Sequence, residues 1–309
     1  MTIASLAKIT TAANFPEHFM LENLAVRADG SVLVVASPQR QVWYVPAPTE
    51  GLPVEPILLH TFDDGYLAQS FVEAQPDVFY VATYGRAALY RFDLRGWTPG
   101  APVSPTKVLD FEPPDGPNGS CLLAPCVMLV ADCVEGLIWR VDLSDDGLHA
   151  TARVWLKHDT MAAGAGKPPV KFSDTMEVPF PGINGLRYGP KDKIVYYTTS
   201  SQDLFMRVAV NPETLEPEGE AGLSDQAITT LINGGIPQDL TDHEKIAARL
   251  AQQLSTRHRI DDELYREAEQ AFGQEGLFDM VAVMGIYHTV CSALALFEVP
   301  VPAVEGLKG

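Results

Sequence analysis

Four side-chain amides occur at comparable points of four similar stretches of the sequence: Asn23, Gln69, Asn118 and Asn184. When the stretches are superposed by counting residues, the first three share one position, and Asn184 joins them if its turn is one residue longer. Amides donate and accept hydrogen bonds without carrying charge. If they converge on one ligand, they can hold a carbonyl group that gains electron density during a reaction. We therefore predict these four as the catalytic residues.

A shift of one residue in strand register would turn Glu22 inward in place of Asn23, so we keep Glu22 as a substrate-binding residue. The aromatic side chains predicted to line the same site are Tyr66, Phe71, Tyr84 and Phe180. For each aromatic the alternative is packing between sheets. For the amides the alternative is hydrogen bonding to neighbouring backbone, because Asn-Gly pairs also form turns.

The elements that would position these residues form an internal repeat. Each unit has a β-branched run, a short turn and a second strand with an aromatic near its start: 32–37 with 42–45, 78–83 with 89–92, 127–132 with 138–141, and 194–199 with 204–207. Counted from Ser37 to Thr83, Asp132 and Thr199, the steps are 46, 49 and 67 residues. An insertion around 161–181 explains the long step. Such periods with several strands per unit are typical of β-propeller blades, whose innermost strands face a central channel.

The pattern changes near residue 220. Beyond it, Thr241 to Glu244 form a capping box at the start of a helix with an apolar stripe at Ile246, Leu250 and Leu254. Asp261-Asp262 can cap a second helix that carries Leu264, Ala268 and Phe272 and stops at Gly273. A third helix is predicted from about 277 to 297. We therefore predict a propeller domain at 1–219 and a helical domain at 220–309.

Composition narrows the function and the partners. Lys and Arg number 22 against 40 Asp and Glu, a net charge of −18, which disfavours nucleic acid as a partner. The first eight residues lack the apolar core of a secretory signal. The four cysteines lack zinc-site spacing. From the missing signal and this cysteine pattern together, we expect a cytoplasmic protein with reduced thiols. Asp279 and His288 interrupt the apolar run 277–299, which favours a buried helix over a membrane span.

Several motifs resemble the gluconolactonase-like β-propellers of the senescence marker protein type. They are ENLAVRADGS at 22–31, LVAD at 129–132 with IWRVD at 138–142, and GINGL at 182–186. Within that group, NFPEHF at 14–19 through RGWTPG at 95–100 is most similar to fungal secondary-metabolite members that include hetero-Diels–Alderases. The resemblance covers residues 8–219. The family closes six blades, and four are recognisable in this sequence, so the fold expected is mainly β with an α C-terminal part: an incomplete propeller followed by a small helical domain.

The resemblance implies an enzyme that joins a quinone methide and a polyene terpenoid in the channel by a pericyclic reaction, with no metal and no cofactor. Metal-dependent relatives hold a divalent ion with a Glu at the Glu22 position, an Asn at the Asn184 position and an Asp from a later blade. The chain turns helical before that Asp could appear, so we expect no metal site. The alternatives are a metal-dependent lactone hydrolase and an inactive binding or assembly protein.

Residues 221–302 resemble the C-terminal half of a carboxymuconolactone decarboxylase-like protein. The residues that carry this are AGLSD at 221–225, LTDHEKIA at 240–247 and GLFDMVAVMGIYHTV at 276–290. Decarboxylation by this half is the weakest alternative because the other half of that domain is missing. The partner expected is a small apolar metabolite, and a homo-oligomer formed through the helical part or an open sheet edge is left open.

Overall fold

The computed structural model describes residues 11–48, 53–113, 116–171, 177–219, 222, 225–238 and 240–296. The chain divides into two compact units, Met1–Gly222 and Leu223–Gly309. The first unit consists mainly of β-strands, and the second of helices.

Four four-stranded antiparallel sheets make up the first unit, and in each the strands follow one another in chain order. The strands of the first sheet are β1 (Leu21–Val26), β2 (Val32–Ala36), β3 (Gln41–Val45) and β4 (Ile57–Thr61). Those of the second are β5 (Tyr66–Gln75), β6 (Val78–Gly85), β7 (Ala88–Asp93) and β8 (Thr106–Asp110). Those of the third are β9 (Pro117–Ala124), β10 (Val127–Asp132), β11 (Leu137–Leu143) and β12 (Ala150–Lys157).

The predicted insertion follows the third sheet. It holds a 3₁₀ turn (Asp159–Met161) and a two-stranded hairpin of β13 (Val170–Lys171) and β14 (Glu177–Val178). Met161 is fully buried, and the Thr160 hydroxyl lies 2.9 Å from that of Tyr197. These contacts attach the insertion to the fourth sheet, whose strands are β15 (Ile183–Gly189), β16 (Ile194–Thr199), β17 (Leu204–Val210) and β18 (Pro217–Glu218).

Apolar side chains fill the space between successive sheets. Leu33 and Val42 of the first sheet pack with Phe79 of the second. Similar cores lie between the second and third sheets and between the third and fourth. The central strands are apolar on both faces because an inner blade has a neighbour on each side. This arrangement explains why β6 and β10 lack the polar–apolar alternation of a half-exposed strand.

The innermost strands β1, β5, β9 and β15 contact one another in chain order. The sheets are therefore blades arranged around a common axis, and the predicted fold of four propeller blades followed by helices is confirmed for the described residues. At the two ends of the arc, apolar side chains face solvent. Leu24 and Val26 of the first blade are 56% and 60% exposed, and Phe205 of the fourth is 69% exposed.

The second unit contains α1 (Asp225–Ile232), α2 (Asp242–Arg257) and α3 (Asp262–Leu296). The predicted capping box is confirmed, since Thr241 accepts from the Glu244 backbone and the Glu244 side chain accepts from the Thr241 backbone. Asp261 Oδ1 accepts from the Leu264 backbone at 2.8 Å. At Gly273, φ is 69°, and this residue divides α3 into two helical segments at the predicted stop.

The predicted apolar stripes of the helical unit pack together. Ile246, Leu250, Leu264 and Ala268 are buried in one cluster, with Leu254 and Phe272 against it. Among the described residues, none of the helices has the length and apolar character needed to cross a membrane.

Candidate functional site

Each innermost strand carries a β-bulge at the point where the polar residues were predicted. The register with the second strand shifts between Leu21 and Asn23, between Ala68 and Ser70, and at the equivalent points of β9 and β15. The residues that the register skips are Glu22, Gln69, Asn118 with Gly119, and Asn184 with Gly185. Bulges redirect side chains and are common next to functional sites.

The strand register between β1 and β2 corrects the superposition of the four repeats in the first blade. Asn23 is a paired residue opposite Val35, and the bulge residue of β1 is Glu22. Counting back from Ser37 misaligned the first blade because the register equivalent of Thr83 is Ala36. Ala36 pairs with Leu21 and Thr83 pairs with Ala68, in each case just before the bulge. Glu22 therefore takes the position that Gln69, Asn118 and Asn184 take in the other blades.

A cavity of about 540 Å³ lies at these bulges. Its polar lining includes Glu22, Asn23, Asn118, Asn184 and Arg187, and its aromatic lining is Tyr196, Tyr197 and Phe205. Its volume falls within the range usual for small-molecule sites. Three of the four predicted amides and the predicted Glu22 are thus brought together.

Glu22 is the one carboxylate among the residues that line this cavity. Burial raises its pKa above the ordinary value. Its charge also acts on the Cys133 thiol, whose pKa is raised to about 12, mainly by burial. A carboxyl group with a raised pKa is suited to proton transfer at a pH nearer to neutrality.

The amides in the cavity are only partly used by the protein. Asn118 Nδ2 has Cys133 Sγ as its partner at 4.0 Å, which is a weak acceptor. Asn184 Nδ2 donates to Ser200 Oγ at 3.2 Å, and Asn23 Oδ1 accepts from the Leu24 backbone at 2.8 Å. Each amide nitrogen carries two hydrogens, so Asn118 and Asn184 each retain a donor for a ligand.

Gln69 is placed differently. Its Nε2 donates to Ser37 Oγ of the first blade at 2.6 Å, it is 7% exposed, and it is not among the residues that line the cavity. Two neighbouring inner strands, β5 and β9, are linked by the hydroxyls of Ser70 and Ser120 at 2.7 Å. Both hydrogen bonds connect adjacent blades.

The four predicted aromatic residues do not line this cavity. Phe71 packs on Phe79 in the core between the first two blades, and Tyr84 is buried in β6. Tyr66 borders a separate groove, where its ring meets that of Tyr90 at 5.6 Å. Phe180, in the insertion, carries Lys167 Nζ over its ring at 4.9 Å.

The aromatic wall is instead formed by the fourth blade. The rings of Tyr196 and Phe205 are stacked at 5.7 Å with an interplanar angle of 11°. From the sequence, 194–199 and 204–207 were predicted as repeat strands, but the side chains that face away from the third blade were not predicted. The alternation in β16 held that signal, because Val195 and Tyr197 pack into the core, which leaves Tyr196 on the opposite face.

Gly119 allows the inner strands of the third and fourth blades to approach. A Cβ atom at this position would lie 2.3 Å from the Asn184 carbonyl oxygen. Any larger residue would push β9 away from β15 and separate Asn118 from Asn184. The Asn-Gly pair at 118–119 is therefore part of the site geometry.

The described residues do not suit a divalent cation. They contain no group of three or more His, Cys, Asp or Glu side chains placed to hold a metal ion. Asp132, a neighbour of Cys133, is fully buried, and its oxygens accept from Trp139 Nε1 and from the backbone of Val134 and Glu135. One carboxylate with amides is a poor ligand set for a hard cation, so we assign no reaction step to a metal.

No protein-family model matches this chain, and no curated protein matches it. Among solved structures, the periplasmic gluconolactonase of Pseudomonas aeruginosa is similar at 14% identity and a TM-score of 0.47, over 66% of this chain and 57% of that one. A putative 6-phosphogluconolactonase of Bacteroides uniformis is similar at 15% and 0.48, over 65% and 56%. A calcium-binding regucalcin of Agrobacterium tumefaciens is similar at 13% and 0.44, over 71% and 64%.

The chain thus spans about three fifths of the length of these solved structures. They are β-propellers of the gluconolactonase and regucalcin type. At such low identity and TM-score, the similarity does not indicate which reaction this chain would catalyse.

Proposed function

We propose that the cavity binds a small lactone and opens it by hydrolysis, with Glu22 as the general base and no metal. The observation that carries this proposal is the position of Glu22, which occupies a bulge of β1 and lines the same cavity as Asn118 and Asn184. A carbonyl substrate needs hydrogen-bond donors at its oxygen and a base for the attacking water. These three residues supply both.

The proposed reaction uses only groups of this chain and water. The Glu22 carboxylate takes a proton from water as the oxygen of that water bonds to the lactone carbonyl carbon. The amide N–H groups of Asn118 and Asn184 stabilise the negative charge that forms on the carbonyl oxygen. The ring C–O bond then breaks, the ring oxygen takes the proton from Glu22, and the product is a hydroxy acid.

Tyr196 and Phe205 supply apolar surface for the carbon skeleton of the ligand. The half-buried state of Glu22 supports its role, because burial raises the pKa of the carboxyl group and thereby its strength as a base.

The test is lactone hydrolysis by the full chain, measured as acid release from a panel of γ- and δ-lactones. We expect the Glu22→Gln variant to lose activity by about 100-fold or more, as for removal of a general base. The matched control is Glu17→Gln, which removes a carboxylate from an exposed position near the start of β1 and should retain activity. We also expect EDTA to leave the wild-type rate unchanged.

Two results would overturn the proposal: no hydrolysis of any lactone, or hydrolysis that survives Glu22→Gln. Activity that EDTA abolishes and a divalent cation restores would favour the metal-dependent hydrolase over metal-free hydrolysis by Glu22.

A hetero-Diels–Alder cyclisation is a second candidate, favoured by the combination of amide donors with the stacked Tyr196 and Phe205 surface. Such a reaction needs no base, since orientation of the two reactants lowers the barrier. It ranks second because it leaves Glu22 without a role. In this case Glu22→Gln would keep the rate of cycloaddition between a quinone methide and a polyene, and Asn118→Ala would reduce it.

We also propose that the protein is cytoplasmic, that it has no nucleic-acid partner, and that it self-associates through the open sheet edge or the helical part. The relation of the helical unit to decarboxylases also stays a prediction. If the chain binds no small molecule, the assembly-protein alternative is favoured.

A further inference from the structure

Arg187 lies on β15 and lines the same cavity as Glu22. Its Nη1 donates to the backbone carbonyl oxygens of Leu186 at 2.8 Å and Ser120 at 3.3 Å. These two bonds hold one edge of the guanidinium against the inner strand of the third blade. Nε and Nη2 have no hydrogen-bond partner among the described residues.

Arg187 also lacks an acidic partner. Six other arginines of the propeller unit form ion pairs with carboxylates: Arg27, Arg40, Arg91, Arg95, Arg140 and Arg153. Arg187 forms none with any described residue, although the chain carries a net charge of −18. In such an acidic chain, an arginine fixed by backbone carbonyls and left without a carboxylate is available for an anion from outside.

The chemistry of the guanidinium defines that anion. Its planar set of N–H donors matches a carboxylate or a phosphate, and such charge-assisted bonds are stronger than neutral ones. The acidic surface repels anions at long range, so an anionic ligand needs a cation at the cavity. Arg187 is exposed there. Arg187 is the one Arg or Lys among the residues that line it.

We propose that Arg187 binds an anionic substituent of the substrate, so that the substrate is a lactone bearing a carboxylate or phosphate group. This inference rests on the proposed function for the lactone part alone. The Glu22 and amide side of the cavity then receives the reacting carbonyl, and the Arg187 side receives the charge. Tyr196 lies opposite Arg187 in the β15–β16 register and faces the skeleton of the ligand.

The experiment compares three sugar lactones of the same ring size: one neutral, one with a terminal phosphate and one with a terminal carboxylate. Binding is measured by calorimetry and hydrolysis by acid release. We expect the wild-type protein to prefer at least one anionic compound over the neutral one by about tenfold, as for a hydrogen bond to a charged group. The compound preferred identifies the anion as phosphate or carboxylate.

Substitutions at Arg187 test whether this residue causes the anionic preference. Arg187→Gln should abolish the ratio of anionic to neutral affinity, and Arg187→Lys should restore part of it. The control is Arg86→Gln, which removes the same charge from a separate groove and should keep the wild-type ratio. An unchanged ratio in Arg187→Gln, or no anionic preference in the wild type, would overturn the inference. Binding is measured independently of turnover. Selective anion binding without hydrolysis would therefore support the anion-binding role of Arg187 and reject the proposed reaction.

Discussion

The side-chain amide of Gln69, in the second blade, donates a hydrogen bond to the hydroxyl of Ser37, in the first, at 2.6 Å. Both residues are buried. The bond therefore joins β5, the inner strand of the second blade, to the residue that follows β2 in the first blade, where water does not compete for either group. Gln69 has the same side-chain chemistry as the amides that line the cavity, but its amide links two blades and does not line the cavity.

We expect Gln69→Ala to lower the free energy of unfolding by about 1 to 3 kcal/mol, because it leaves the buried Ser37 hydroxyl without its partner. Urea unfolding monitored by tryptophan fluorescence measures this. Asn118→Ala provides the contrast, since its Cys133 partner at 4.0 Å is weak. That variant should reduce turnover by about 100-fold and unfold near the wild-type midpoint. If Asn118→Ala is destabilised as much as Gln69→Ala, the amide of Asn118 has a structural role.

The buried thiols should be unreactive in the folded protein. Burial raises the pKa of Cys121 and of Cys133 to about 12, and the thiolate is the reactive form. Cys126 is half-buried and free. In a Cys291→Ser background, we expect an aromatic disulfide reagent to modify one thiol quickly and two more only after unfolding. Rapid reaction of all three thiols would contradict the packing of the third blade.

His60 should make the propeller unit less stable in mild acid. Its ring packs on Phe62 at 4.7 Å and Phe92 at 5.7 Å, and burial lowers its pKa, opposed in part by Asp63. The unfolded chain therefore takes up the proton first. The resulting loss of stability begins as the pH falls below the ordinary value of 6.5 and is complete below the folded pKa.

Urea unfolding between pH 5 and 7.5 measures this effect. The slope against pH should be smaller in His60→Gln than in the control His149→Gln, which changes an exposed histidine. Equal slopes in the two variants would assign the pH dependence to other groups.

The capping box should contribute to the stability of the helical unit. Thr241→Ala removes the acceptor for the Glu244 backbone, and we expect a loss of about 1 kcal/mol. Thr241→Ser keeps the hydroxyl and should retain most of the stability. Thermal unfolding followed by the helical signal in circular dichroism compares the two; equal losses would exclude the hydroxyl as the source.

The repeat was readable from sequence because the inner blades bury both faces of their central strands. Those runs, such as 78–83 and 127–132, are continuous and apolar. Helix starts were readable for a similar reason, since the cap at Thr241 depends only on residues three apart. Local patterns of this kind predicted the blades and the helices of the second unit.

The site was only partly predictable because a side chain at the channel is placed by strand register. Counting from Ser37 and Thr83 aligned Asn23 with Gln69, whereas the strand register makes Ala36 the equivalent of Thr83 and places the bulge at Glu22. Arg187 and Tyr196 were missed because their importance depends on which face of the fourth blade is left open. The alternation in β16 separates the two faces of that strand, but it does not mark which face is left open.

The most direct test of Glu22 as the base is the pH dependence of kcat/KM for lactone hydrolysis, corrected for the spontaneous reaction. If Glu22 has this role, the wild-type value falls in acid with a midpoint above the ordinary glutamate value, because burial raises the pKa of its carboxyl group. Residual activity in Glu22→Gln should show no such transition. A Glu22→Gln profile with the wild-type midpoint and height would contradict the proposal that this carboxyl group carries the reaction.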